Sequence, residues 1–526
     1  MSAVLSFPAT QNEIISYNPA TGEEFGRVVN ASAEEVREAV EKSRPAFGKW
    51  KETSFKQRAE YVMEARKVIL NELDEIARLI SDESGKPVAE SLSMEVAPVL
   101  DLMQYFARNT AKILKPERIN IGLYGAMGRT SKIIYKPLGT VGIIPAWNYP
   151  FSIPLGEVVM SLMAGNAVIV KPSELTPFIG LKIGEIFEKA GLPENVLQIV
   201  TGDGRTGAAL VDAGTEKIMF TGSVATGKKI AESAAKHLTS VVLELGGKDP
   251  MVVFADANLE LAAQGAIWGA FCNSGQSCSS VERLYIEESV AEEFTNLIVE
   301  KTKKLRQDSG DKETTDVAAM SSERQIKIVD DHVESFRQEG AKILTGGKRN
   351  AQFKGAFYEP TVISNATNEM RGMREETFGP TLPIVRFTTE AKAIELANDT
   401  DFGLTASVWT RDLRKGTRVA EKILAGTVTI NEVLYTHGIA QTPWGGVKQS
   451  GYGRTHGKQG LMELVQPQHI HVNRFLFTPN VWWMPYSSTA VETFRGLARH
   501  FATGSLWQTT KLAPQLVKRI RELRKK

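Results

Sequence analysis

The chain has 526 residues, 42% of them hydrophobic and 24% charged, with a formal net charge of +2 and two cysteines. Length and composition accommodate about two or three globular domains. The near-neutral charge excludes a global affinity for nucleic acid, so any charged partner is recognised locally. Cys272 and Cys278 are too few for a disulfide framework and share one short segment, which reads as a reducing, cytoplasmic compartment. The N-terminus lacks the basic-then-apolar pattern of a signal peptide, and no run of about eighteen apolar residues offers a spanning helix.

Residues 32–114 read as successive amphipathic helices, for example 33–43 and 57–82, with apolar residues at three-to-four spacing. From Gly139 onward short apolar runs alternate with helical stretches, at 141–144, 167–170, 196–200, 217–220 and 241–243. A helix over 178–190 ends at Gly191 with Pro193 just beyond, the pattern of a left-handed cap followed by a helix breaker. Strands separated by helices of this length predict a parallel sheet in a doubly wound fold, the usual home of a dinucleotide. A second alternating region, with apolar runs at 251–254, 284–286 and 427–430, predicts a second α/β unit. Residues 116–138 and 454–475 hold alternating segments such as 132–135 and 469–472, suited to a small projecting sheet. There is no internal repeat and no low-complexity segment.

Cys278 lies in the run Phe271-Cys272-Asn273-Ser274-Gly275-Gln276-Ser277-Cys278-Ser279, a polar loop in which a reactive thiol can be reached. Upstream, Glu244 ends an apolar run and precedes Leu245-Gly246-Gly247-Lys248, so it projects from a strand end. A thiol and a carboxylate are the nucleophile and general base of an acyl-transfer site. Plainer readings stand beside this one: a buried thiol is a small hydrophobe, a lone Glu a salt-bridge partner, and an Asn before Pro a turn residue. Cys272, at the end of a helical stretch, reads as core. Gly222-Ser223-Val224-Ala225-Thr226-Gly227 follows the 217–220 strand and opens a helix whose N–H groups can meet a pyrophosphate, although it is not the GxGxxG fingerprint. The seven histidines are scattered, and His469-Ile470-His471 reads as alternate strand positions, so no metal site is assigned.

These pieces belong to eight segments in series: Trp147-Asn148-Tyr149-Pro150, Lys171-Pro172-Ser173-Glu174, Phe220-Thr221-Gly222-Ser223, Glu244 to Lys248, Gly275 to Cys278, Glu376-Thr377-Phe378-Gly379-Pro380, Asn431, and Pro443-Trp444-Gly445-Gly446 to Gly451. In order and spacing they resemble the aldehyde dehydrogenase superfamily over roughly residues 12–475. The resemblance implies a Rossmann-like cofactor domain (1–115 and 139–247), an α/β catalytic domain (248–445), and an oligomerisation flap (116–138 and 446–475) that pairs protomers into a homodimer or homotetramer. It also implies NAD(P)-dependent, non-acylating oxidation of an aldehyde through a cysteine thiohemiacetal and thioester. Cys278 matches the nucleophile, Glu244 the base, and Asn148 with the Cys278 backbone N–H the oxyanion donors. Trp147, Lys171, Ser173, Glu174, Gly222, Ser223, Gly227, Glu376 and Phe378 match the cofactor contacts. Glu174 in that role favours a free 2′-hydroxyl, hence NAD, although some related enzymes with this Glu use NADP as well. Tyr149, Ile153, Ser277, Ser279, Val433, Leu434 and Trp444 should line the aldehyde pocket. No Arg or Lys falls among them, so an apolar aliphatic or aromatic aldehyde is expected. Gly156 stands where many relatives place a large aromatic, which implies a wide tunnel. One departure is Ala146 before the Trp, where many members have Pro. Two alternatives remain: resolution of the thioester by coenzyme A, against which Glu244 counts, and a non-catalytic protein on the same scaffold, against which the intact Cys278, Glu244 and Asn148 count.

Beyond residue 475 the family pattern ends. The extension, 476–526, contains Trp482-Trp483-Met484-Pro485-Tyr486, Trp507, and a last stretch, 511–526, with seven Lys/Arg and one Glu. Two readings are open: an arm that buries the aromatics on the protomer or its partner, which is preferred, and an interfacial helix that makes the enzyme peripheral to an anionic membrane.

Overall fold

In the computed structural model, which describes residues 12–525, the apolar runs after Gly139 become the parallel strands Thr140–Ile144, Ala167–Val170, Leu197–Ile199, Lys217–Thr221 and Ser240–Glu244. From Thr140–Ile144 the chain adds Ala167–Val170 and Leu197–Ile199 on one side, then crosses back to add Lys217–Thr221 and Ser240–Glu244 on the other. Strand order therefore reverses beside Thr140–Ile144, which makes the carboxyl ends there the topological switch point at which such sheets bind ligands. All four residues of Ala167–Val170 are fully buried, since helices cover both faces, and this produced the unbroken apolar run. The helix Ser152–Ala164 is buried along its whole length. Pro177–Lys189 ends as expected, with Gly191 at φ +74°.

The second sheet has seven strands in the order Lys342–Thr345, Thr361–Ser364, Thr381–Phe387, Val281–Glu287, Asp249–Val253, Thr405–Trp409 and Thr427–Ile430, antiparallel only at the first pair. Alternate side chains feed its two faces. Met251, Val253, Leu284 and Ile286 join one core cluster, and Val252, Phe254 and Tyr285 the other.

The amphipathic helices differ from their sequence limits. The first runs Ala33–Trp50, opened by a Ser32/Glu35 capping box and continuing through Pro45. The 57–82 stretch is two helices, Phe55–Asn71 and Leu73–Ser84. Glu72 leaves helical geometry between them, and its carboxylate meets Lys182 at 2.8 Å and Lys189 at 2.6 Å.

Two compact units divide the chain, the larger comprising residues up to Leu114 with Lys136–Gln466, and the smaller Lys115–Tyr135 with the chain from Pro467 onward. Residues 446–464 thus group with the larger unit rather than with the small sheet. Gly451–Tyr452 pairs antiparallel with Ser240–Glu244 at the edge of the first sheet. The small sheet orders Val465–Asn473, Arg129–Pro137 and Glu117–Ile119. After it the extension folds as two helices, Ser488–Thr503 and Leu506–Arg524, joined at Gly504 with φ +62°. Trp482 stacks on Phe494 at 5.4 Å, and Tyr124 on Phe501 at 5.9 Å. The buried Arg519 guanidinium donates to the carbonyls of Val481, Trp483 and Pro485. Trp483, Tyr486 and Trp507 are about 60% exposed on the single protomer. Among the described residues no helix is long and apolar enough to cross a membrane.

Candidate active site

The parallel topology gathers the sequence motifs at one edge. Trp147 and Asn148 follow Thr140–Ile144, Lys171 to Glu174 follow Ala167–Val170, Gly222 and Ser223 follow Lys217–Thr221, and Glu244 ends its own strand. Gly222 donates its N–H to the Glu244 carbonyl at 3.0 Å, which fastens two of these ends together.

The nucleophile loop is brought to this edge by three left-handed residues in succession. After the helix Leu259–Phe271, Asn273, Ser274 and Gly275 adopt φ of +51°, +55° and +72°. Such a run is unfavourable for Asn and Ser, and side-chain hydrogen bonds hold it. Asn273 Nδ2 donates to the carbonyls of Asn148 (2.9 Å) and Gln276 (3.0 Å), Gln276 Nε2 donates to the Asn273 carbonyl at 3.0 Å, and Ser274 Oγ donates to the Ala318 carbonyl at 2.8 Å. Within 271–280 every residue except Cys278 is buried. The loop is rigid and presents one thiol. Cys272 sits in the core, as expected.

Asn148 is buried, and its Nδ2 donates to the Gln276 carbonyl at 3.1 Å. One amide proton is thereby used, and the other is left over. Its Oδ1 has no protein partner. Lys86 sets the backbone of this turn: its Nζ donates to the Asn148 carbonyl at 2.7 Å and to Glu95 at 2.5 Å, and it lies 4.4 Å from the centre of the Tyr149 ring.

Glu244 is buried with neither carboxylate oxygen hydrogen-bonded to protein. Burial pushes its carboxyl well above the usual range, the neighbouring Glu157 adds to this, and Arg454 opposes it. Glu157, the one charge on the buried Ser152–Ala164 helix, likewise has an unpaired oxygen and is pushed by burial up to about 8. The Cys278 thiol is also raised, by burial first and then by the charges of Asp249, Glu376 and Glu244. In this state the sulfur is protonated at neutral pH, so attack requires a base.

The remaining predicted residues fall into two groups. Lys171 is buried and lies 3.4 Å from Glu174, whose carboxylate is partly exposed. Ser173 accepts from the Leu175 N–H, and Ser223 caps the Val224–Ala235 helix by accepting from the Thr226 N–H. A cation, a carboxylate and helix-terminal amides suit the phosphates and hydroxyls of a dinucleotide. A Cβ at Gly227 would lie 2.6 Å from Leu245, so the helix approaches the strand end closely. Glu376 accepts from the Gly247 N–H at 2.9 Å, and Phe378, at φ +53°, meets Trp147 edge-on with centroids 5.4 Å apart. The second group comprises the residues expected to line the aldehyde pocket: Tyr149, Ile153, Ser277, Ser279, Val433, Leu434 and Trp444 are all buried. Ser277 and Ser279 hydroxyls lie 3.2 Å apart, and Val433 packs against Gly269 of the helix preceding Cys278. A Cβ at Gly156 would meet only Leu102, at 3.3 Å.

Sequence reasoning missed Lys86, Glu95, Glu157 and Glu282. Glu282 accepts from the N–H groups of Thr377 (2.8 Å) and Phe378 (2.9 Å) and pairs with the buried Lys248 at 2.5 Å, so it holds the Glu376–Phe378 turn in place. A signal existed for Glu157, a lone carboxylate in an otherwise apolar helix.

This geometry has counterparts. The sequence model of the aldehyde dehydrogenase family matches residues 7–470. A 4,4'-diapolycopene aldehyde oxidase of Methylomonas sp is 39% identical over 483 residues, covering 92% of this chain and 90% of that protein. A betaine aldehyde dehydrogenase of Bacillus subtilis is 38% identical, covering 87% and 93%. Among solved structures, the betaine aldehyde dehydrogenase of Staphylococcus aureus in complex with NAD+ superposes with a TM-score of 0.86 at 33% identity, over 91% of this chain and 95% of that one. With the whole α/β core matched in sequence and in structure, the chain belongs to the aldehyde dehydrogenase family.

Proposed function

We propose that the protein oxidises an apolar aliphatic or aromatic aldehyde to its carboxylic acid with NAD, using Cys278 as nucleophile, Glu244 as base and Asn148 as oxyanion donor. The observation that carries this reading is Cys278, the one residue of its loop that is not fully buried, whose thiol feels the charge of Glu244, a buried carboxylate with no protein hydrogen-bond partner. As the sulfur bonds to the carbonyl carbon, Glu244 takes the thiol proton, and the spare Asn148 amide proton with the Cys278 N–H meets the developing oxyanion. Bound nicotinamide supplies two-electron oxidation at that carbon, leaving a thioester. After passing the thiol proton to solvent, Glu244 removes a proton from water, the water oxygen bonds to the acyl carbon, and the C–S bond breaks to free the acid, the departing thiolate taking up the proton from Glu244. The first sheet, within residues 1–115 and 139–247, would hold the cofactor. The second unit, 248–445, carries the thiol, and the flap would pair protomers.

That no Arg or Lys falls among the seven expected lining residues supports an apolar substrate. Lys86 lies against Tyr149, but Glu95 neutralises it. Relatives differ in their named substrates, among them 4,4'-diapolycopene aldehyde, betaine aldehyde and succinate semialdehyde. NADH formation across aldehydes of graded chain length, with and without coenzyme A, tests the reading. We expect kcat/KM to rise with apolar length and to be independent of coenzyme A; a preference for succinate semialdehyde or betaine aldehyde would overturn it.

Glu174 supports NAD over NADP, because its carboxylate can accept from a 2′-hydroxyl and repels a 2′-phosphate. A higher kcat/KM is expected with NAD, and Glu174→Gln should narrow the gap by about fivefold, the value of one charge at a partly exposed site. A wild-type preference for NADP would refute the role.

A further inference from the structure

Residues 476–526 combine two properties that the rest of the chain lacks. They hold nine Lys/Arg against two Glu, while the whole chain carries a net charge of only +2. They also concentrate exposed apolar surface. Of the 23 large apolar side chains exposed among the described residues, nine lie between Leu476 and Val517. Leu476, Phe477 and Met484 are 81%, 91% and 74% exposed.

The fold sorts these residues onto an outer surface. On the Leu506–Arg524 helix, Leu512 and Arg519 face inward and are buried. Trp507, Lys511, Lys518 and Arg521, and Lys525 just beyond the helix, follow one another at three-, four- or seven-residue steps and are all exposed. Lys511 Nζ sits 3.4 Å from the centre of the Trp507 ring, so cation and aromatic share one patch. At the other end of the helix, Arg519 grips the 481–485 backbone and Arg524 donates to Thr478 Oγ1. The exposed Phe477, Trp483 and Tyr486 are thereby held beside the basic end of the helix.

We propose that this surface docks the enzyme on an anionic lipid bilayer, with the aromatics at headgroup depth and the cations against lipid phosphates and carboxylates. A second copy of the chain fits it less well, because a two-fold contact would set one strongly cationic patch against another. The inference rests on the extension alone and is independent of the aldehyde and of the catalytic assignments.

Flotation of the full-length protein with phosphatidylcholine vesicles containing about a third phosphatidylserine tests it. Binding should be at least about tenfold weaker with pure phosphatidylcholine, and should fall on raising NaCl from ~0.1 to ~0.5 M. Two surface variants, Lys518→Glu with Arg521→Glu and Phe477→Ser with Trp483→Ser, should each lower binding about tenfold while melting temperature, assembly mass and NADH formation on a soluble aldehyde stay unchanged. Failure of the wild-type protein to bind, equal binding to both vesicle types, or full binding by both variants would overturn the proposal. A change of assembly mass in either variant would also overturn it, and would give the surface to a second copy.

Discussion

Replacing Cys278 with Ala is expected to reduce aldehyde oxidation by at least about 10⁴-fold, because covalent chemistry is lost outright rather than weakened. Dinucleotide affinity should change little. The loop is held by Asn273, Ser274 and Gln276 and by left-handed backbone, none of which involves the Cys278 side chain. NADH formation and a dinucleotide binding isotherm on the same preparation separate the two effects. Cys272→Ala is the matched control: that thiol is buried in the core cluster, and its loss should leave turnover in place. Substantial turnover by the Cys278 variant would end the nucleophile assignment.

The second large effect belongs to Glu244. Glu244→Gln should lower steady-state turnover by about 10²–10⁴-fold, the usual contribution of a general base. If proton removal by Glu244 is needed mainly at water attack, a first burst of NADH survives and the following phase slows. The pH dependence has a definite sign. Burial first, and Glu157 second, raise the Glu244 carboxyl, and the working form is the carboxylate. Deacylation therefore rises with pH through that elevated value. Glu157→Gln removes a neighbouring negative charge, so Glu244 ionises more readily and the rising limb moves to lower pH. A limb that stays in place or moves upward would separate the two carboxylates functionally.

Much of the scaffold was legible because both sheets are covered on both faces. Such strands are continuously apolar, and runs like 141–144 and 167–170 locate them within a residue or two of Thr140–Ile144 and Ala167–Val170. Helix limits were less legible where tertiary contacts decide. No Gly or Pro marks Glu72, and only Lys182 and Lys189, more than a hundred residues away, give its carboxylate a place to go. Lys86 and Glu95 fall within the 32–114 stretch of amphipathic helices, yet each is buried and together they hold the Asn148 turn. Burial of a charge is a property of the assembled core, which local periodicity does not report. The roles of Cys278, Glu244 and Asn148 came from family resemblance. What the fold adds is their shared position at one sheet edge.

Two glycines next to the reacting groups have a consequence for how such a site diversifies. A Cβ at Gly247 would lie 2.1 Å from the Cys278 carbonyl oxygen, and one at Gly275 would lie 2.1 Å from the Gly379 carbonyl oxygen. Main chain here abuts main chain, with no side chain interposed. The seat of the Cys278 loop against the segment after Glu244 is thus set by backbone, while the side chains of Ser277, Ser279 and Val433, the expected lining, attach to that frame. On the proposed reading, exchange of the lining would change the aldehyde accepted without moving the atoms that react, whereas a single methyl group at Gly247 would displace them.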